Sequence, residues 1–193
     1  MLSDFPSRLD GLVKTDDAKL ILAAKTLDEE ALRTIFDCYS PAIYNYSLRL
    51  CQDAVEADNI VGDVFALLME QLVKGKGPDT NLRSYLYQTA YRLIIDRSRE
   101  RRHFGPLELL EQTSEQDSPV SIQAEQDSEL AVLATALNTE INSDQRHVLL
   151  LRFVEGFNVE ETARITGKST SNVKVIQSRG LEKLRRALSQ KLK

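Results

Sequence analysis

Residues 161–180, ETARITGKSTSNVKVIQSRG, break an amphipathic helical pattern with a glycine and a run of Ser and Thr, then resume it with cations. Ala163, Gly167, Val173 and Ile176 stand four, six and three residues apart. Two helices crossing through a tight turn need a small residue at the crossing, a glycine for left-handed backbone, and branched apolar residues facing inward on the second helix. This spacing supplies all three. It predicts a helix-turn-helix with Gly167 as the turn, Ser169 as the N-cap, and a second helix from Thr170 to roughly Leu188. The outer face of that helix offers Ser171, Asn172, Lys174, Ser178 and Arg179. Short polar side chains at a helix N-terminus fit a DNA major groove, and Lys and Arg reach base edges or phosphates. Lys183, Arg185 and Arg186 lie further along, where phosphate contact or plain solvation suits them better than base reading.

A net charge of −4 looks unsuited to nucleic acid until it is divided along the chain. Between Asp144 and Lys193 there are eleven Lys and Arg against five acids, a net of +6. Residues 105–130, GPLELLEQTSEQDSPVSIQAEQDSEL, hold seven acids and neither Lys nor Arg. The sum conceals a basic end and an acidic middle.

The elements that position these groups follow from composition. Few Gly and Pro, with 42% hydrophobic residues and abundant Leu, Ala, Glu, Arg and Lys, predict an all-α chain. Residues 105–130, with Pro106, Pro119 and many Ser and Gln, read as a flexible acidic linker between two small helical domains, 15–104 and 131–193. In the first, apolar residues recur at helical spacing, Ser40-Pro41 is a candidate helix start, and KGKGPDTN (74–81) is a loop. In the second, helices are expected at about 130–140 and 143–155, ahead of the helix-turn-helix.

Several classes lose support. There is no phosphate-binding GxxxxGK and no nucleophile elbow, and His103 and His147 have no partners at readable spacing and are expected at the surface or an interface, so no enzyme, cofactor or metal site is expected. Cys38 and Cys51 read as reduced, mostly buried thiols. The N-terminus lacks a basic start followed by an apolar core, and no segment approaches the ~18 apolar residues that span a bilayer. A soluble, cytoplasmic protein without membrane insertion is expected. On the residues alone, a stand-alone helix-turn-helix regulator whose first domain senses a signal or dimerises remains an alternative.

Both ends also resemble one family. Gln145, Arg146, Val148 to Arg152, Glu155-Gly156, Glu161, Ala163, Gly167, Val173, Lys174, Arg179 and Leu184 are similar to the C-terminal domain of bacterial sigma factors of the extracytoplasmic-function (ECF) type. Leu20 to Lys25, Glu30-Ala31, Tyr39, Pro41, Tyr44, Asp58, Val61, Val64-Phe65, Leu86, Asp96 and the basic RSRERR after it resemble the N-terminal domain in order and spacing.

The resemblance implies a dissociable specificity subunit of core RNA polymerase, directing promoter recognition, DNA melting and transcription initiation. Thr170, Ser171, Asn172, Lys174, Ser178 and Arg179 would read the upstream promoter element. Lys76, Asn81, Arg83, Tyr85, Arg92, Arg97 and Arg101 would handle the downstream element and melting. Asp58, Asp63 and Glu70 are the expected docking residues for core polymerase, with Ile60, Val64, Phe65 and Leu68 as core. Of Tyr85, Tyr87 and Tyr91, which do not share one face, at least one is core. The linker would thread through the polymerase, and an anti-sigma factor is an expected partner. Tyr85, Arg92, Gly62 and Ile176 depart from the residues common at those positions, Ile176 standing where an Arg is usual, so an unusual promoter sequence is expected.

Overall fold

The computed structural model describes residues 18–103 and 135–191. Among them there is no strand, and the chain divides into two units that part between Ile94 and Ile95. The expected linker, 105–130, lies outside the described residues.

The first unit contains α1 (18–25), α2 (Glu29–Cys51), α3 (Ala54–Val73) and most of α4 (Leu82–His103). Asp28 caps α2 by accepting from the Ala31 amide at 2.8 Å, and Asp53 caps α3 through the Glu56 amide at 3.0 Å. Between these caps, Gln52 turns left-handed (φ 56°) and its N–H donates to the Leu48 carbonyl at 2.8 Å, which reverses the chain in two residues. Pro41 does not start a helix as the sequence suggests. It sits inside α2, which runs unbroken for 23 residues. Proline removes one amide donor, but Ile35, Tyr39, Ile43 and Tyr46 share one buried face on both sides of it, and their packing outweighs the missing bond.

That core is almost wholly apolar. Ala57, Ile60, Val64, Leu68 and Leu72 of α3 and Leu82, Leu86, Tyr87, Ala90 and Ile94 of α4 join it, and Tyr87 packs on Tyr46 at 5.2 Å between ring centroids. The loop 74–81 turns at Gly75 (φ 67°), and an ion pair between Lys25 and Asp79 ties it to α1.

The second unit contains α5 (135–139), α6 (Ser143–Leu149), a π-helical turn (Leu150–Val154), α7 (Val159–Thr166) and α8 (Thr170–Lys191). The helix expected over 143–155 is therefore α-helical only in its first half, and its last turn widens. Asn142 and Asn158 begin α6 and α7 with reciprocal capping boxes to Gln145 and Glu161, all four bonds lying between 2.8 and 3.1 Å. Arg146 donates to the Leu137 and Asn138 carbonyls at 2.9 and 2.8 Å, satisfying groups at the end of α5.

Two sequence expectations are corrected. Cys38 is exposed and Cys51 half-buried, because α2 turns Cys38 away from the face carrying Ile35 and Tyr39. His147 is only 1% exposed, not superficial. Burial pushes its pKa down to about 4, with the Arg146 and Lys168 charges adding to the drop and Asp144 opposing it. The side chain of His103 lies outside the described residues.

Candidate nucleic-acid and partner interfaces

In the second unit, α7 and α8 meet through Gly167, whose φ of 66° is the left-handed conformation the sequence predicts there. The Lys168 amide reaches back to the Ala163 carbonyl at 3.0 Å, closing α7 with a six-residue turn. Ser169 then caps α8, its hydroxyl accepting from the Asn172 amide at 3.2 Å. Val173, Ala163 and Val148 form one buried cluster, with Ile176 and Val159 packed against it. Further along, Leu184 and Ala187 join Leu149, Ile141 and Ala136. Between the two clusters lies Gly180, where an added Cβ would stand 3.0 Å from Leu149 Cδ1. The inner face of α8 is thus fixed along its length.

Fixing that face decides the other. Thr170, Ser171, Asn172, Lys174, Ser178 and Arg179 are all exposed. With 100° per residue, Ser171 and Ser178 fall on the side opposite Val173, and Lys174 lies about a quarter turn from it. Asn172 and Arg179, seven apart, form a neighbouring line, while Thr170 lies on the other flank of the first turn. The helix therefore spreads all six predicted residues over its outward side, with Thr170 beside Lys174 at one edge and Asn172 and Arg179 at the other.

Two further residues around this face escaped the sequence reading. Arg152 donates from Nε to Gln177 Oε1 at 3.0 Å and from its guanidinium to the Phe157 carbonyl, joining α8 to the turn before α7. Its position in a helical run gave no sign of so distant a partner. Val175, 44% exposed, lies among the outward polar residues of α8. Nothing in its residue type marks it as outward.

In the first unit the predicted docking carboxylates do not form one surface. Asp58, Asp63 and Glu70 are all exposed. Asp63 and Glu70, seven apart, share a line on α3, but Asp58 lies well round the helix from both, and Glu70 is ion-paired with Lys74. Asp58 shares its line with Gly62, Phe65, Met69 and Val73. Ile60, Val64 and Leu68 are buried as expected, whereas Phe65 is only half-buried and tilts against the 46% exposed Phe36 of α2 at 4.8 Å. With Met69 and Val73 also exposed, these residues make an apolar stripe edged by Asp58.

The predicted melting residues also divide. Lys76 and Asn81 are exposed on the loop, Asn81 with φ 55°, and its carbonyl accepts from the Tyr85 amide at 3.1 Å to start α4. Tyr85 and the exposed Arg92 fall on the outer face of α4, two turns apart. Burial raises the Tyr85 pKa, partly opposed by Thr89 and the Arg92 charge, so the phenol stays neutral. Arg99, absent from the predicted set, extends this face and lies 3.5 Å from Asp96. Arg83 instead covers the core ring of Tyr87, its guanidinium carbon 5.7 Å from the centroid. Arg97 and Arg101 continue the line of the core residues beyond Ile94.

No helix among the described residues is long and apolar enough to cross a membrane. Comparison with known proteins matches residues 35–104 to Sigma-70 region 2 and residues 139–186 to Sigma-70, region 4. The chain is 25% identical to the ECF RNA polymerase sigma factor BldN of Streptomyces coelicolor, over 88% of this chain and 65% of BldN. It is 25% identical to the ECF RNA polymerase sigma factor SigX of Bacillus subtilis, over 82% of this chain and 84% of SigX. Among solved structures, CnrH in complex with the cytosolic domain of CnrY matches with a TM-score of 0.68 at 21% identity, covering 90% of this chain and 97% of that one. The sigma factor RpoE in complex with the anti-sigma factor NepR from Bartonella quintana matches at 0.62 and 22%, covering 83% and 96%. These two likenesses concern the fold.

Proposed function

The chain belongs to the RNA polymerase sigma factors of the ECF type, and from this we propose how its two units divide the work of initiation. A single observation supports the whole reading: regions 2 and 4 occur in one chain, in that order, on either side of the acidic segment. A stand-alone regulator would require neither region 2 nor its tyrosine- and arginine-bearing α4.

Residues 131–193 act as the upstream-element reader. The first two turns of α8 enter the major groove, where Ser171, Asn172, Lys174, Ser178 and Arg179 face base edges and phosphates, and Thr170 contacts the backbone at the groove wall. Arg152 holds α8 at its crossing angle through Gln177. A recognition helix is useful only if it is rigid, and the two inner clusters and Gly180 supply that rigidity.

Residues 15–104 dock on core polymerase and handle the downstream element. The stripe of Phe36, Phe65, Met69 and Val73 provides the apolar centre of the docking surface, with Asp58 at its edge. Asp63 and Glu70 serve the rim, where charge governs encounter more than affinity. On α4, Tyr85 offers a neutral stacking surface to a base unpaired on melting, and Arg92 tracks phosphates. Lys76 and Asn81 approach the same strand from the loop, and Arg97 and Arg101 meet the duplex beyond the end of the bundle. Arg83 acts through Tyr87, as a support.

Residues 105–130 form the acidic connection through the polymerase. The protein works in the cytoplasm, where the polymerase is, and an anti-sigma factor restrains it by covering the apolar stripe. The stripe supports this because a chain free to open promoters needs a reversible block, and one covered surface would exclude polymerase.

The test is run-off transcription with bacterial core polymerase on promoter fragments from the source genome. Specific transcripts that appear only when the chain is added support the assignment. DNA binding by the chain alone, without polymerase binding or transcripts, would contradict it.

A further inference from the structure

We propose that Val175 is a specificity-determining residue that reads the 5-methyl group of one thymine in the upstream element. The inference deepens the reading of α8 as the groove-entering helix and rests on it. Val175 is 44% exposed, while Val173 two residues earlier is fully buried, so the two valines serve opposite faces of one helix. On a helix surface the neighbours of residue 175 are those three and four positions away. These are Ser171, Asn172, Ser178 and Arg179, all exposed and all polar or cationic.

An isolated apolar group in that setting does not belong to a protein-docking patch, which would need contiguous apolar area. The other exposed aliphatic residue on α8, Leu181, lies about 120° round the helix and nearly two turns further on, so the two do not form one surface. The major groove presents only one apolar feature among its donors and acceptors, the thymine methyl. A branched side chain suits that contact, because valine in a helix keeps essentially one χ1 rotamer and so holds its methyl groups at a fixed height above the backbone. Two turns beyond Val175, Glu182 pairs with Arg186, so its carboxylate occupies the helix surface after the proposed reading segment. Val175 is therefore near the middle of the short segment able to reach bases, flanked by hydrogen-bonding groups that fix its register.

The experiment uses holoenzyme assembled from full chain and core polymerase, and duplexes enriched from a library randomised over the upstream element. Wild type, Val175→Ala and Arg179→Ala are compared. Alanine at an exposed helix position preserves folding, since its helix propensity exceeds that of valine. Wild type should prefer thymine at one position, and replacing that thymine with deoxyuridine, which removes only the methyl, should weaken binding about fourfold, the worth of one buried methyl-sized group. Val175→Ala should lose that preference and bind thymine and deoxyuridine duplexes equally, with preferences elsewhere unchanged. If Val175→Ala keeps every thymine preference while Arg179→Ala weakens binding, the assignment of Val175 is overturned and groove reading by α8 stands. If wild type enriches no sequence, both fall.

Discussion

The two units solve the same problem, holding a few helices at fixed angles, with different chemistry. In the first, the buried residues described are apolar or aromatic, apart from Ser47. In the second, Gln145, His147, Thr162 and Thr166 are buried as well, and Arg146 and Arg152 bond to backbone carbonyls. The faces proposed for partners contrast the other way. The first unit exposes Phe36, Met69 and Val73, while the recognition helix of the second exposes mostly short polar and cationic groups. A partner protein gains affinity by burying apolar area, which tolerates some slack. Groove reading depends on hydrogen-bond geometry, which does not, and buried polar bonds specify one helix arrangement more narrowly than apolar packing does.

The largest effect is expected at Arg152. Arg152→Ala removes two bonds and leaves the Phe157 carbonyl without its guanidinium donor, which should destabilise the second unit by about 3 kcal/mol. Hydrogen exchange should show early opening of α8 with α2 and α3 unchanged. Arg152→Lys should not restore it, because an ammonium cannot reproduce the planar fork.

Acid should also separate the units. His147 is held neutral in the fold with a pKa near 4 against an ordinary 6.5, so the unfolded chain binds more protons between those values. Its contribution is complete above pH 6.5 and is lost as pH falls toward 4, to a full extent of about 3 kcal/mol. All six tyrosines lie between residues 39 and 91 and there is no tryptophan, so tyrosine fluorescence reports the first unit alone. Between pH 6.5 and 5, the protection of α6 amides, taken as exchange relative to the unfolded chain at the same pH, should fall while the urea midpoint by tyrosine fluorescence moves much less. Equal shifts would contradict the assignment to His147.

A third effect concerns binding. Arg179→Ala should lower promoter affinity of the holoenzyme by about 1 to 3 kcal/mol and leave polymerase binding intact. Fluorescence anisotropy with and without DNA distinguishes the two. The smallest effect is at Ser47, whose buried hydroxyl has no hydrogen-bond partner among the described residues. Ser47→Ala should be neutral or stabilising, by less than about 1 kcal/mol, in a urea titration followed by tyrosine fluorescence.

The sequence made the helix-turn-helix legible because its signals are local. Gly167, Ser169 and the spacing of Ala163 and Val173 act within a few residues, and each stands where expected. Features that depend on distant partners were not legible. Pro41 was misread because packing across it cannot be seen from its neighbours, and His147 because nothing adjacent marks a histidine that tertiary contacts will bury. The burial of Phe65 was misjudged for a similar reason. Phe65 and Met69 carry the residue types of a core, and only the placement of α2 and α4 shows which apolar residues of α3 remain uncovered.

The separation of the two surfaces is tested most directly by titrating fluorescently labelled full chain with core RNA polymerase, first without DNA and then with promoter duplex, comparing wild type, Met69→Glu and Arg179→Ala. Met69→Glu should weaken polymerase binding tenfold or more, about 1.4 kcal/mol, whereas Arg179→Ala should bind polymerase as wild type and lose affinity only for promoter. Equal losses of polymerase binding by both variants, or by neither, would contradict the division of labour between an apolar docking face and a polar reading face.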